Sequence, residues 1–513
     1  MQDWLKITVG YLLLVLFNTG CSTDMPQGVV SGSIVIADSA EQLLTVPDSG
    51  LPQFWLTELQ IPPAVILKVT LLQNGHQRLL ASHASGHTSL RFISDGKAQI
   101  ALQQVYARSR NASLVDWTFT PLPALAQPAV EEVSLEEIRS PRLRQILQSG
   151  SELSQSPLVE QLPGMPASER LLTFVYQGAR HNVQLLGAPV SDIVNLQKIA
   201  DSDIWFHSFT VPADTLLSYR MAADVPHLNA DKRQQRMAIL SRLQPDPLNP
   251  VLWPQIGTVV QESVVDLKNQ VVLPSGSMDT ERMSYHWYPS RILNNERMLA
   301  LYRPAAATDT SHARILILFD GMEYQHTVFA PERLDQLHEN ALAGPLFLLM
   351  VSNPDGASRS NELPANPQFA DFIADELLPW AEQTLAQSFN RDQVIVAGSS
   401  YGGLAALSAA LSRPERIGHV LSMSGSFWWQ DELGNMQQRL QQATALPLSV
   451  YLSAGLFEGG QQDAGILETN QAVADILANK NIRHHLSLLP AGHDYFAWSY
   501  ALEDGLMYLH PAR

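Results

Sequence analysis

A serine hydroxyl is a weak nucleophile until a turn presents it and a neighbouring base takes its proton. The run Val394-Ile395-Val396-Ala397-Gly398-Ser399-Ser400-Tyr401-Gly402-Gly403-Leu404 has the makings of such a turn. It is a Gly-x-Ser-x-Gly pattern with a buried-strand sequence before it and an Ala-rich helical stretch after it. On a tight strand-to-helix turn the Ser400 oxygen projects from the sheet edge, while Ser399 takes the x position. Gly398 and Gly402 are read as small because side chains there would clash within the turn.

The base of such a site comes last in chain order, after a final strand. Leu486-Ser487-Leu488-Leu489-Pro490-Ala491-Gly492-His493-Asp494 offers a strand followed by a Gly-His turn, which selects His493. His419, His484 and His485 stand at strand starts and are read as solvated or structural. An acid that fixes the imidazole tautomer should follow the apolar run at 449–454. Glu458 is the first acid beyond it, and Asp463 is its rival on the same loop. The oxyanion formed on attack needs two backbone N–H donors. Tyr401 is one, and Gly321 or Met322, just past the run at 315–319, is the other. The glycine is expected to allow close approach of substrate, and Asp320 to bond amides of its own loop.

These residues need a sheet to hold them. From residue 256 onward, apolar runs at 298–302, 314–319, 345–351, 393–397, 419–422, 449–454 and 485–489 alternate with helical stretches. Phe369, Phe372, Ile373, Leu377, Trp380 and Leu385 recur at helical spacing and predict one amphipathic helix over 368–387. The alternation indicates a mainly parallel sheet covered on both faces. Upstream the texture is different. Short apolar runs at 33–36, 54–59, 65–72, 90–93, 98–105 and 114–120, punctuated by Asn74-Gly75 and Asp95-Gly96, suit a small antiparallel β-sandwich. A Pro-, Ala- and Glu-rich linker and a short helix at 135–147 precede a second β-rich module. Its strands fall at 171–176, 181–186, 204–211 and 216–221, and it ends near Pro245-Asp246-Pro247-Leu248-Asn249-Pro250. The fold class is α/β: an α/β-hydrolase catalytic domain at 256–513, preceded by two β-sandwich-like domains at 22–122 and 141–255 with a linker at 123–140.

Composition narrows the partners. With Lys+Arg 33 against Asp+Glu 50 the formal charge is −17, which argues against a nucleic-acid binder, because the balance does not favour neutralising phosphates. The single cysteine, Cys21, rules out a disulfide framework and a cysteine-based metal site. It closes a segment in which an apolar run at 7–17 leads to Asn18-Thr19-Gly20-Cys21. That run is short for a membrane span and suits an export signal over 1–21. A small residue before the cysteine resembles a bacterial lipobox, with Asn18 where that motif prefers Leu. The expectation is lipidation at Cys21 and a periplasmic, membrane-tethered protein of a Gram-negative bacterium. No metal site or organic cofactor is indicated.

Over roughly 140–513 the chain resembles the enterochelin (enterobactin) esterases. The resemblance rests on Leu318-Phe319-Asp320-Gly321, Arg359-Ser360-Asn361-Glu362-Leu363-Pro364, the Ser400 motif, Arg413-Pro414-Glu415-Arg416, Ser422-Met423-Ser424-Gly425-Ser426-Phe427-Trp428-Trp429 and Gly492-His493-Asp494. Upstream, Val183-Gln184-Leu185-Leu186-Gly187-Ala188, Asp201-Ser202-Asp203-Ile204-Trp205 and the Asp246-Pro247-Leu248-Asn249-Pro250 run look like that family's N-terminal β-domain. The resemblance implies a serine esterase acting on the trilactone of a catecholate siderophore, with Ser400, His493 and Glu458 at its centre. It also suggests Arg359 on the substrate side, where a guanidinium can grip oxygens or stack on a catechol. Trp428 and Trp429 could offer flat faces to the same rings, or pack beside the helix after Ser400. Iron would arrive with the substrate. Two other readings stand beside this one: an esterase for feruloyl or acetyl esters, and a siderophore-binding lipoprotein without catalysis. The resemblance does not extend to the first β-domain.

Overall fold

A computed structural model describes residues 28–512, apart from 38–39, 49–52, 95, 110–111, 230, 255–259, 269–279, 306–308 and 461–462. The export-signal and Cys21 assignments therefore lie outside the described residues.

The first module is a sandwich of two four-stranded antiparallel sheets. One sheet runs Val30–Ile36, Ser113–Leu122, Gln53–Gln60, His87–Ser94, and the other Gln42–Thr45, Ala98–Ala107, Val65–Gln73, His76–Ala84. Alternate residues such as Trp55, Phe92, Ile100 and Phe119 fill the space between them. The strands Gln42–Thr45 and His76–Ala84 were not legible in the sequence, the first for its length and the second because its residues are only partly buried.

The second module holds two five-stranded sheets and is larger than expected at both ends. Glu132–Val133, inside the expected linker, pairs in parallel with Gln197–Ile199. Glu262–Asp266, assigned from sequence to the third region, pairs with Leu216–Ala223 of the second. The proline-studded run was mistaken for a boundary because prolines interrupt strands. It lies within the module: the Tyr219 hydroxyl donates to Asp246 at 2.8 Å, and Asn249 donates to the Tyr219 oxygen at 3.1 Å. The predicted helix at 135–147 divides into a turn at Leu135–Glu137 and a helix at Pro141–Ser149. Ser140 caps that helix, and the fixed φ of Pro141 starts it.

The third module is an eight-stranded sheet in the order Met283–Ser290, Asn295–Tyr302, Leu346–Val351, Arg314–Phe319, Val394–Ser399, His419–Met423, Ser449–Gly455, Arg483–Leu489. The last six strands are parallel and the first two antiparallel. Helix Tyr401–Ser412 covers one face with Leu404 and Leu407, and helix Tyr495–Leu509 covers the other with Phe496, Trp498 and Leu502. The expected single helix over 368–387 runs as Pro367–Asp371, a π-helical turn at Phe372–Leu377, and Leu378–Leu385. Pro379 has no N–H to give the carbonyl four residues back, and a wider turn accommodates that loss.

Candidate active site

The strand Val394–Ser399 delivers Ser400 at the carboxyl edge of the sheet, and helix Tyr401–Ser412 leaves directly from it. Ser400 has φ 56 and ψ −119, a conformation a serine adopts only under constraint. The constraint is visible. Its N–H donates to the Met423 carbonyl at 2.9 Å, and its carbonyl accepts from Leu404 N and Ser426 N, both at 3.1 Å. A Cβ on Gly398 would sit 2.7 Å from the Gly402 carbonyl carbon, so the turn is closed to side chains there. Gly402 itself has room, its nearest neighbour being Asp320 Oδ2 at 3.5 Å. The Ser400 hydroxyl lies 3.3 Å from that of Ser426, which is buried.

Two strands away, Ser449–Gly455 and Arg483–Leu489 end side by side. Their following loops are stitched by Leu456 N to Leu489 O at 2.8 Å and Phe457 N to Ala491 O at 3.1 Å. This brings Glu458 onto His493: Oε1 is 2.5 Å from Nδ1. Oε2 accepts from Gly455 N at 2.5 Å and from the Ser424 hydroxyl at 2.8 Å. Gly455 must be glycine, since a Cβ would meet the Ala491 carbonyl oxygen. The Ser424 oxygen in turn accepts from the Trp498 indole N–H at 2.9 Å, and the His493 ring sits edge-on against Trp498 at 4.8 Å. Glu458 is thus a buried carboxylate with both oxygens engaged, and it holds a half-exposed imidazole by Nδ1. Nε2 is the nitrogen left to exchange a proton. Asp463 is exposed further along the loop. The second module buttresses both loops: Leu216 N donates to Pro490 O at 2.9 Å, and Phe457 packs into that module's core.

The other predicted residues are distributed around this centre. Tyr401 opens its helix, and Gly321 and Met322 open the helix Gly321–His326, so their N–H groups lie in first turns that leave donors without intrahelical carbonyls. Gly321 is small for a different reason than substrate approach. A Cβ there would fall 2.8 Å from the backbone of Met350 and Val351, so the residue lies flush against the neighbouring strand. Asp320 does not bond its loop's amides as expected. It is buried, takes the Arg359 guanidinium in a two-pronged pair, and accepts from Asn353 at 2.6 Å. Arg359 therefore has Nε and Nη2 turned toward Asp320 rather than toward solvent, with its guanidinium 6.0 Å from the Tyr401 ring. The tryptophans divide. Trp428 is 48% exposed with its ring 6.2 Å from that of Tyr401. Trp429 is partly buried against the hydrophobic core with Arg439 over its ring, which matches the packing alternative of its two readings.

Ser424, Ser426 and Trp498 were missed as site residues. The run Ser422-Met423-Ser424-Gly425-Ser426 held the signal, since small hydroxyl residues directly after a buried strand are placed beside the neighbouring strand's turn. Burial raises the pKa of Asp494 to about 7, with Glu262 and Glu458 adding repulsion. Burial likewise raises Glu323 to about 7, with Asp320 adding to it.

Known proteins resemble this chain in sequence and fold. A family model for esterases matches residues 290–509, and one described as the N-terminal region of enterochelin esterase matches residues 171–272. The iron(III) enterobactin esterase of Dickeya dadantii is 28% identical over 359 residues, which is 62% of this chain and 80% of that protein. The iron(III) salmochelin esterase of Escherichia coli O6:H1 is 27% identical, covering 68% of this chain and 90% of its own. The crystal structure of the enterobactin esterase from Shigella flexneri in the presence of enterobactin aligns with a TM-score of 0.57 at 25% identity, over 73% of this chain and 98% of that one. Tandem matches to both regions, in the order in which the fold sets them, make this chain a member of the enterochelin esterase family.

Proposed function

We propose that this protein hydrolyses the ester bonds of a catecholate siderophore trilactone through an acyl-enzyme. Ser400 Oγ attacks a lactone carbonyl, and His493 Nε2 takes the hydroxyl proton. Tyr401 N–H and the N–H of Gly321 or Met322 receive the oxyanion as it forms. Collapse of the tetrahedral adduct breaks the ester C–O bond, and His493 returns the proton to the departing serine oxygen of the substrate. Water, deprotonated by the same imidazole, then releases the acyl group from Ser400, as the linear trimer after the first cut and as shorter N-acyl serine products after later ones. Glu458 keeps the proton on Nδ1 and stabilises the imidazolium. The observation that supports this most is the 2.5 Å contact between His493 Nδ1 and a Glu458 that is anchored by Gly455 and Ser424.

Recognition of catechol rings rests on Trp428, which is exposed beside Tyr401, and on the edge of Arg359 not turned to Asp320. The matched relatives named for iron(III) enterobactin and iron(III) salmochelin make both the ferric and the iron-free trilactone suitable test substrates. Export and acylation at Cys21 belong to the same reading, supported by the apolar run at 7–17 and the small residue before the cysteine. Incorporation of a labelled fatty acid, lost in Cys21→Ser, tests that part.

The deciding experiment incubates the protein with enterobactin, with and without iron, and analyses products by mass spectrometry. Linear trimer, dimer and monomer of the catechol-acylated serine should form, and Ser400→Ala should form none. Hydrolysis that persists in Ser400→Ala would remove the proposal.

A further inference from the structure

Neither family model reaches the amino-terminal sandwich, whose matches begin only at residue 171. Yet this module is docked on the third one at a specific place. Ile66 forms a small buried cluster with Met298 and Met322, flanked by Tyr106 and Trp287. The Tyr106 hydroxyl lies 3.1 Å from His326 Nε2, and the His83 ring stacks on the His326 ring at 4.6 Å. Tyr106 also packs on Tyr285 at 5.1 Å, and Arg108 pairs with Glu296 at 2.6 Å. Met322 and His326 are the near-beginning and the end of the helix Gly321–His326.

That helix cannot hold its own position. Six residues are far fewer than an isolated helix needs. It starts from Asp320 in a left-handed conformation, φ 54, with no side-chain cap. Its place is set by its surroundings: within the third module Asp320 is held by Arg359, Gly321 lies flush on the Met350–Val351 backbone and Tyr324 packs on Tyr495, while on the other side Met322 and His326 meet the sandwich. Burial pushes His83 down to about 3 and His326 down to about 4, so both rings are neutral and stack without repulsion near neutral pH.

We propose that the amino-terminal sandwich is a positioning element of the active site: Ile66, His83 and Tyr106 clamp the helix Gly321–His326 and so set the N–H groups that meet the oxyanion. These three are positioning residues, acting through Met322 and His326. The inference rests on the esterase reading.

The test uses the full-length protein with Ile66→Ala, Ile66→Val, Tyr106→Phe and His83→Gln. Three quantities are compared: kcat and KM for ester hydrolysis, inhibition by an aryl boronic acid, and inhibition by the catechol-acyl serine product. The boronate forms a tetrahedral adduct on a serine and draws on the oxyanion donors, whereas the product does not. Loss of one such donor lowers kcat by roughly 100-fold or more, so a displaced one should lower it by about 10-fold. Ile66→Ala should lower kcat and boronate affinity together by about that factor, with KM and product affinity within about 2-fold. Ile66→Val should restore both, and Tyr106→Phe and His83→Gln should each lower both by about 3-fold. If Ile66→Ala does not fold, the two polar variants decide by the same criterion. Unchanged kcat and boronate affinity in the folded variants overturn the proposal, and so does a raised KM at constant kcat. A wild-type protein that neither hydrolyses ester nor binds boronate sinks the esterase reading instead.

Discussion

Arg359 and Asp320 form a fork: Nε to Oδ1 and Nη2 to Oδ2 are both 2.7 Å, joining the helix Gly356–Glu362 to the residue that starts the helix Gly321–His326. The partners differ in exposure, for Asp320 is 1% exposed while the Arg359 side chain is 31% exposed. Removing the arginine leaves a carboxylate in the interior with Asn353 donating to it and Glu323 repelling it. Removing the acid frees a guanidinium that can reach water. Arg359→Ala should therefore destabilise more than Asp320→Asn. About 2 kcal/mol is expected for the arginine, between the ~3–5 of a broken buried pair and the ~1 of an exposed one. Arg359→Lys should recover only part of it, because an ammonium cannot occupy both oxygens in the plane. Denaturant unfolding of the three variants gives the order, and equal losses for arginine and acid would contradict it.

The burial of Glu458 makes its replacement informative. Glu458→Gln keeps the shape and the Ser424 and Gly455 contacts, but an amide no longer holds the Nδ1 proton in place. By analogy with other serine hydrolases kcat should fall by about 10³–10⁴ with KM little changed. Asp463→Asn, on the exposed part of the same loop, should stay within about 2-fold of wild type. Steady-state kinetics on a chromogenic ester distinguish the two, and a large loss confined to Asp463→Asn would reverse their roles.

Gly321 tests the oxyanion donors from the other side of the clamp. Its missing Cβ would lie 2.8 Å from both Met350 C and Val351 N, and neither is a flexible side-chain end. Gly321→Ala must push the helix start away from the strand. A displacement near 1 Å is enough to lower kcat by about 10²-fold while KM stays close to wild type. A kcat within 2-fold of wild type, in a protein with wild-type circular dichroism, would show that Gly321 and Met322 do not supply a donor.

What could be read from the sequence was whatever depends on local pattern. The parallel strands of the third module, apolar on both faces, were visible as runs, and Gly398-Ser399-Ser400-Tyr401-Gly402 marked its own turn. Glu458 and His493 were ordered along the chain, but their contact depends on the pairing of Ser449–Gly455 with Arg483–Leu489, which no local signal encodes. The same applies to Asp320. Its left-handed backbone and its pairing with Arg359, 39 positions away, arise from tertiary packing, so the expectation of loop amides failed. The edge strand Met283–Ser290 was missed because its partial burial and Pro289 weaken the apolar signal, as an edge position tolerates. Module boundaries failed where prolines were read as breaks although Asp246 and Asn249 are buried. Docking of the first module was illegible, since Ile66, His83 and Tyr106 read as ordinary strand residues until Met322 and His326 face them.

Asp494 supplies a pH dependence. Its Oδ1 accepts from Ala497 N at 2.9 Å and caps the last helix, and its buried carboxyl lies beside the Ser218 hydroxyl, which itself donates to Glu262. Burial, reinforced by Glu262 of the second module and by Glu458, lifts it to about 7. An unfolded aspartic acid titrates near 3.9. Between roughly pH 4 and 7 the folded state holds the proton that the unfolded state has released, so stability falls as pH rises through that window. Above about pH 7 the carboxylate is charged in both states and the full penalty is present. Asp494→Asn keeps an oxygen for the cap, removes the ionisation, and gives an amide N–H that can turn toward Ser218 and Glu262. The variant should match wild type near pH 4.5 and exceed it in thermal midpoint at pH 8, with a flatter profile between. Parallel curves for the two proteins across that range would show that Asp494 does not carry the titration.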